Sequence, residues 1–474
     1  APDGGLYVPA VFPQMTLADI AALTKLDYRA RALTILRGYL DDFNAQELAD
    51  AIASAYEAAK FDDAAIAPTK KLDSNTHVLE LFHGPTLAFK DMALQLLPHL
   101  TTLSAKKNGE NREVAILVAT SGDTGKAALE GFKDVPGTSC TVFYPTDGVS
   151  DVQKLQMTTT GGENTHVIAL NGNFDDAQTG VKKIFSVVSK DQLLKGKGVR
   201  LSSANSINIG RLAPQVVYYY RAYADLVQAG RIQPGDKVDY VVPTGNFGDI
   251  LAGYFAKEMG LPVGKLVCAS NANNVLTDFL RTGRYDRRRP FYKTVSPSMD
   301  ILVSSNLERL LYLLSGDDKL IADLMKQLSE NGEYEVPADM LEKLHELFWA
   351  GFCDDEGAKT AIGKVWKDDH YLCDTHTAVA WDVAQQYKQA DPEHNAVVVL
   401  STASPYKFPA AVLEGIGEKA EGDEFDVMEQ LHKVTGVPVP KNLADLRSRA
   451  VRHRDVIDRG EMLDYVLGKA AAEK

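Results

Sequence analysis

Cysteine is scarce in this chain: Cys140, Cys268, Cys353 and Cys373 are the only four among 474 residues, and no two form a C-x-x-C pair. That scatter argues against structural zinc and against a dense disulfide framework, and it points to a reduced, intracellular compartment, here expected to be the cytoplasm. Long hydrophobic runs are missing as well. The longest, residues 114–119 and 396–400, fall far short of the roughly 18–20 residues that span a bilayer, so no membrane association is expected. No signal-peptide pattern opens the chain, whose first residue is Ala1. Positive charge is in deficit: 51 Lys and Arg against 64 Asp and Glu give a net charge of −13, with acids dense over 417–426. A nucleic-acid partner is therefore not expected, and any anionic ligand must be captured by a local site opposing the global sign. Short-period repeats and low-complexity linkers are also lacking.

What the chain does have is ordinary globular composition, 45% hydrophobic and 24% charged, at a length sufficient for two or three cores. Its organisation is alternation. Short β-branched runs at 113–119, 139–144, 166–170, 238–242, 265–269 and 396–401 read as buried parallel strands. Between them lie stretches of helical period, such as 124–132, 175–189, 211–228 and 249–259. Strand, glycine-bearing turn, then helix is the α/β signature. The interval 306–370 reads as a helical insertion, and the last fifty residues also read as helical.

In open α/β sheets, ligands bind beyond the carboxyl ends of the strands. Three turns stand at such ends: Thr120-Ser121-Gly122-Asp123-Thr124-Gly125, Pro243-Thr244-Gly245-Asn246-Phe247-Gly248-Asp249, and Ser401-Thr402-Ala403-Ser404-Pro405-Tyr406-Lys407. Small residues there let backbone N–H groups approach an anion, and the helix that follows adds about half a positive charge. The competing reading of each turn is a capped βα connection. Gly122 to Lys126 is not a nucleotide P-loop, because its glycines are separated by two residues instead of four and Ala127 stands where Ser or Thr would hold magnesium.

Gly84-Pro85-Thr86-Leu87-Ala88-Phe89-Lys90-Asp91 sets a lysine at the end of an apolar run. Burial disfavours the ammonium, lowering a lysine pKa by up to about 3–5 units and leaving an amine able to form a Schiff base. The competing reading is a lysine whose stem covers apolar surface while its amine reaches water. Two anion cradles and one desolvated lysine together suit a phosphorylated aldehyde cofactor, of which pyridoxal phosphate is the common one.

These segments, taken in order with Ala1-Pro2-Asp3-Gly4-Gly5-Leu6-Tyr7-Val8-Pro9, Phe174-Asp175-Asp176 and the 205–211 stretch, resemble the threonine synthase family of pyridoxal-phosphate enzymes. The resemblance runs over essentially the whole chain. It implies a fold of two open, mostly parallel sheets flanked by helices, like that of the tryptophan synthase β subunit. Residues 1–90 are expected to pack on the large domain, 91–200 to form a smaller mobile domain, and 201–474 to form the large domain with its insertion near 306–370.

By the same resemblance, Lys90 is the Schiff-base lysine and Asp91 serves structure. Asp123 lies near the cofactor's phenolic oxygen, and Thr120, Ser121 and Thr124 offer hydroxyls and amides to the substrate. Gly245, Asn246, Phe247, Gly248 and Asp249 cradle the cofactor phosphate, and the Thr402 hydroxyl faces the pyridine nitrogen. Asn205, Ser206 and Arg211 match the clamp for a substrate phosphate, Arg211 through its planar fork of donors. Lys407 adds positive field, whereas Lys154 reads as a solvated helix residue. His83 and His376 are expected to play packing, capping or surface roles, and no metal is expected. The implied reaction is O-phospho-L-homoserine plus water giving L-threonine plus phosphate, by a monomer or homodimer. A β-eliminating relative such as a threonine dehydratase is the alternative enzyme, and a non-catalytic cofactor-binding protein the alternative outside catalysis.

Overall fold

The computed structural model describes residues 4–120, 122–146 and 149–472. Two sheets organise it. The larger has six strands in the order Thr69–Lys71, Thr76–Glu80, Ala396–Ser401, Val238–Pro243, Val263–Ser270 and Phe348–Phe352, all parallel except for the first. The smaller has five parallel strands in the order Asp455–Asp458, Thr165–Asn171, Thr138–Pro145, Glu113–Ala119 and Val199–Ser202. Helices flank both, as the α/β pattern requires.

The six strands read from the sequence all form, within one or two residues of their expected ends. Near-continuous apolar runs make them central strands, because helices cover both faces. Every residue of Thr138–Pro145 and Val238–Pro243 is buried. Each fully buried Val, Leu or Ile contributes about 1.5–3 kcal/mol. The apolar side of helix Val216–Gln228, including Tyr218, Tyr219, Tyr220 and Tyr223, packs into the core under the larger sheet. Helix Asp123–Phe132 seats Ala127, Ala128, Leu129 and Phe132 in the core of the smaller one.

Three placements differ from expectation. The interval 306–370 is mostly helical but contains Phe348–Phe352, a strand that pairs with Leu266–Ser270 and forms one edge of the larger sheet. Helix Ala338–Leu347 runs straight into it with no turn residue between, so no punctuation marks the strand. The last fifty residues contain the strand Asp455–Asp458, which pairs with Ile168–Asn171. Residues 455–472 therefore join the smaller sheet rather than the larger, where 201–474 had been placed. Helix Met462–Ala472 buries Met462 and Val466 against Leu117, Phe143 and Ile168, a nonlocal apolar match that the local pattern does not encode. Among the described residues no helix is long and apolar enough to cross a membrane.

Candidate active site

All three suspect turns stand at the carboxyl ends of their strands, Glu113–Ala119, Val238–Pro243 and Ala396–Ser401. The lysine segment is laid beside the third by main-chain bonds. Leu81 N–H donates to Ser401 O at 2.9 Å, Phe89 N–H to Thr402 O at 2.8 Å and Ser404 N–H to Leu87 O at 3.0 Å, and Ala88 bridges Ala403. Leu87 reaches this path with φ of 61°, a conformation costly for a branched side chain unless its surroundings hold it. Asp91 helps to hold it. Its two carboxylate oxygens accept from Thr86 N–H and Thr86 Oγ1, each at 2.8 Å, and burial raises its pKa to about 6. The structural role expected for Asp91 is what the geometry shows.

Lys90 is therefore fixed at both ends of its short segment, with 8% of its surface exposed. Its Nζ lies 3.5 Å from Asp123 Oδ2, 3.5 Å from Ser298 Oγ and 4.9 Å from the Phe89 ring centroid. Burial lowers its pKa, the nearby cations Arg211 and Lys407 lower it further, and Asp123 opposes them. The reading of a lysine reaching out to water does not hold.

Asp123 begins its helix after Gly122, whose φ of 147° suits glycine. Its carboxylate meets Lys407 Nζ at 2.6 Å and accepts from Gln153 Nε2 at 3.1 Å. Burial alone would raise its pKa, but Lys407 and Lys90 hold it well below the carboxylate range. Lys407, buried, also donates to Thr86 O at 3.0 Å, tying together the lysine segment, the 120–125 turn and the 401–407 turn. Thr120 Oγ1 accepts from Gly122 N–H and Gly125 N–H, both at 3.0 Å, and so closes its own turn. Thr124 is half-buried in the first helical turn, and Ser121 lies outside the described residues.

In the second turn, Gly245 has no room for a side chain, since a Cβ there would stand 2.8 Å from Ser298 O. Phe247, at φ 61°, precedes helix Gly248–Glu258 and contributes no capping side chain to it. Asn246 O accepts from Asn306 N–H at 3.1 Å and from Asn306 Nδ2 at 2.8 Å, which fixes the loop from behind. Asp249 Oδ1 accepts from Tyr218 Oη at 2.5 Å and Tyr219 Oη at 3.0 Å, while Oδ2 is buried without a hydrogen-bond partner. Burial raises this carboxyl to about 7.

The expected clamp adjoins that loop. Ser206 Oγ lies 3.4 Å from Ser305 Oγ, which donates to Asn246 Oδ1 at 3.2 Å, and Asn205 O accepts from Asn208 N–H at 3.0 Å. Arg211 is 5% exposed, and among the described residues its guanidinium makes one hydrogen bond, to Ala204 O at 3.0 Å. Among the described residues no carboxylate pairs with it, and burial lowers its pKa to about 10. A buried guanidinium so sparsely bonded is poised for an anion. Lys154 is exposed, as expected.

The histidines divide. His83 bonds Asp62 at 2.5 Å and Glu80 at 2.9 Å; against the effect of burial, the two carboxylates lift its pKa to about 9. His376, in contrast, is buried within the site rather than on the surface. Its Nδ1 bonds Asp374 Oδ2 at 2.7 Å, and its Nε2 accepts from Ser298 N–H at 3.1 Å. Ser298 and Gln153 were not singled out and His376 was expected to be a capping or surface residue; Ser298 and His376 lie outside strand–turn–helix junctions, whereas Gln153 opens the helix Asp151–Thr158 that follows the strand Thr138–Pro145. Only the turn chemistry of Ser296-Pro297-Ser298 offered a signal.

The residues present fit a phosphorylated aldehyde. An aldehyde needs a desolvated amine, met by Lys90. A phosphate needs uncapped helix N–H groups and room beside them, met at the start of Gly248–Glu258, where Gly248 carries no side chain. Comparison with known proteins agrees. Family profiles described as pyridoxal-phosphate dependent enzyme, threonine synthase N terminus and threonine synthase C-terminal match residues 66–402, 1–56 and 377–463. The chain is 40% identical to a threonine synthase of Pseudomonas aeruginosa, over 96% of this chain and 94% of the relative. It is 42% identical to human threonine synthase-like 1 over 88% of this chain, and there it spans only 56% of the relative's length. Solved structures similar to it include a pyridoxal-phosphate-bound threonine synthase from Brucella melitensis, with a TM-score of 0.87 and 37% identity over 99% of this chain and 94% of that one. Yeast threonine synthase superposes with a TM-score of 0.88 at 32% identity over 100% and 94% of the two chains.

Proposed function

Because the chain belongs to the threonine synthase family of pyridoxal-phosphate-dependent enzymes, we propose that it converts O-phospho-L-homoserine and water to L-threonine and phosphate. The observation that supports this reading is the buried guanidinium of Arg211, bonded among the described residues to Ala204 O alone, which would serve as an anion site beside the 245–249 cradle. A dehydratase acting on an unphosphorylated hydroxy amino acid has no need of that arginine.

Lys90 would hold the cofactor's aldehyde, 245–249 its phosphate, and Thr402 would face its ring nitrogen. When bound, the cofactor supplies an electron sink for charge developing on the substrate's carbon skeleton. The residues do the rest. Arg211, with Asn205 and Ser206, binds the substrate phosphate. Once its amine is free, Lys90 is the nearest base for the substrate's Cα proton and returns protons further along the chain. Asp123, kept ionised by Lys407 and Lys90, stabilises the ammonium that Lys90 becomes. Thr402, buried, would offer the ring nitrogen a neutral hydroxyl and not a charge. Movement of the smaller sheet with the 120–125 turn would exclude bulk water. The four buried free thiols support a reducing cytoplasmic setting.

The test is to supply O-phospho-L-homoserine and follow phosphate and threonine together. Equal release of both is expected, whereas phosphate with 2-oxobutyrate as the main product would make the enzyme a lyase of the dehydratase kind. Lys90→Ala is expected to abolish turnover and the visible absorbance of the bound cofactor, and persistence of both would remove Lys90 from its role.

A further inference from the structure

We propose that Ser298 is a catalytic partner of Lys90, its hydroxyl orienting the free amine so that the nitrogen lone pair keeps one direction as protons arrive and leave. This rests on the reading of Lys90 as the base. Two acceptors, Ser298 Oγ and Asp123 Oδ2, each lie 3.5 Å from Lys90 Nζ. That is the outer edge of hydrogen-bonding reach, as is common in active sites before substrate draws them together. With one N–H directed to each, the amine's remaining lone pair has a single direction. It takes a proton from a substrate carbon, the resulting ammonium stays on the same two acceptors, and the proton passes to another substrate carbon, which restores the amine. No further reactant is required.

The placement of Ser298 is fixed from several sides. It lies in the turn Pro297–Met299, and its N–H donates to His376 Nε2 at 3.1 Å. His376 is held through Nδ1 by Asp374, which is fully buried and caps helix Thr375–Ala390. Upstream, Asn271 Nδ2 donates to Ser296 Oγ at 3.1 Å and to Asp300 Oδ1 at 2.8 Å, pinning both ends of the turn. Ser298 O sits against the face of Gly245 that carries no side chain. The Asp374–His376–Ser298 series is not a nucleophile's triad, because the imidazole meets Ser298 through its main-chain N–H and leaves Oγ to Lys90. His376 is thus a positioning residue. Without the hydroxyl, Asp123 is left as the acceptor on the amine among the described residues, and Arg211, Lys407 and Asp249 are further titratable groups whose charge reaches it.

The first experiment needs no turnover. Cofactor-free protein is titrated with pyridoxal phosphate across a pH series and capture is read from visible absorbance, for wild type, Ser298→Ala and Ser298→Thr. Loss of an acceptor weakens the ammonium form, so the alanine variant should capture with its midpoint moved to lower pH by a fraction of a unit, and threonine should restore it. In steady state, Ser298→Ala should lower kcat about tenfold with KM for the phosphorylated substrate little changed. Adding His376→Ala to Ser298→Ala should cost less than His376→Ala alone. An unmoved capture midpoint with unchanged kcat overturns the proposal, as does a raised KM at unchanged kcat, which would make Ser298 a binding residue. If the wild type makes no threonine, the proposed reaction fails while the capture midpoint still decides Ser298.

Discussion

Arg211 and Asp249 are two buried residues of the site whose polar atoms are incompletely paired. The guanidinium has one backbone carbonyl for a partner, and the carboxyl has one oxygen with none. Arg211→Ala is expected to raise KM for the phosphorylated substrate by about 10²-fold, the loss of a charge-assisted bidentate contact of about 3 kcal/mol, with cofactor loading near normal. If loading collapses instead, Arg211 serves the cofactor's phosphate. Burial lifts the folded-state pKa of Asp249 from 3.8 to about 7, so the folded protein holds this proton more tightly than the unfolded chain does. The resulting stability is full below pH 4 and is lost as pH rises through about 7, by at most about 1.4 kcal/mol per pH unit for one proton. Asp249→Asn should flatten that decline when cofactor-free protein is melted between pH 5 and 8. Parallel declines in both proteins would show that the carboxyl is not held neutral.

At the scale of elements, the proposed function falls on the turns, because a ligand held by main-chain N–H groups needs a close approach of the backbone. Gly245 is the sharpest case. A methyl group there meets the Ser298 carbonyl at 2.8 Å, a backbone atom that cannot rotate away. Gly245→Ala should therefore destabilise the fold by about 1–3 kcal/mol and weaken pyridoxal phosphate binding, read by thermal melting and by titration of the absorbance. Unaltered binding would mean that 245–249 is not the cradle. The three turns were legible in the sequence because each follows a β-branched run and opens with small residues. The Pro297–Met299 turn was not, since no local period precedes it and it is held by Asn271, whose Nδ2 reaches Ser296 25 residues on and Asp300 29 residues on.

Over the whole molecule, two sheets are closed by segments distant in sequence. Thr76–Glu80 is inserted between Thr69–Lys71 and Ala396–Ser401 in the larger sheet, and Asp455–Asp458 covers the edge strand of the smaller. Removing 455–474 uncovers the partners of Met462 and Val466, which at about 1.5–3 kcal/mol each is a large fraction of a domain's stability. The truncated protein should unfold at lower urea concentration and bind an apolar dye; an unchanged midpoint would make the segment peripheral. The sequence alone determined the central strands, the turns at their ends and the place of Lys90 at the end of an apolar run, because apolar period and turn chemistry act over a few residues. Tertiary structure decided that Lys90 is buried between Asp123 and Ser298, that His376 faces inward, and that the chain's end returns to the smaller sheet. Those outcomes depend on desolvation and on packing between residues tens to hundreds of positions apart, which no local pattern encodes.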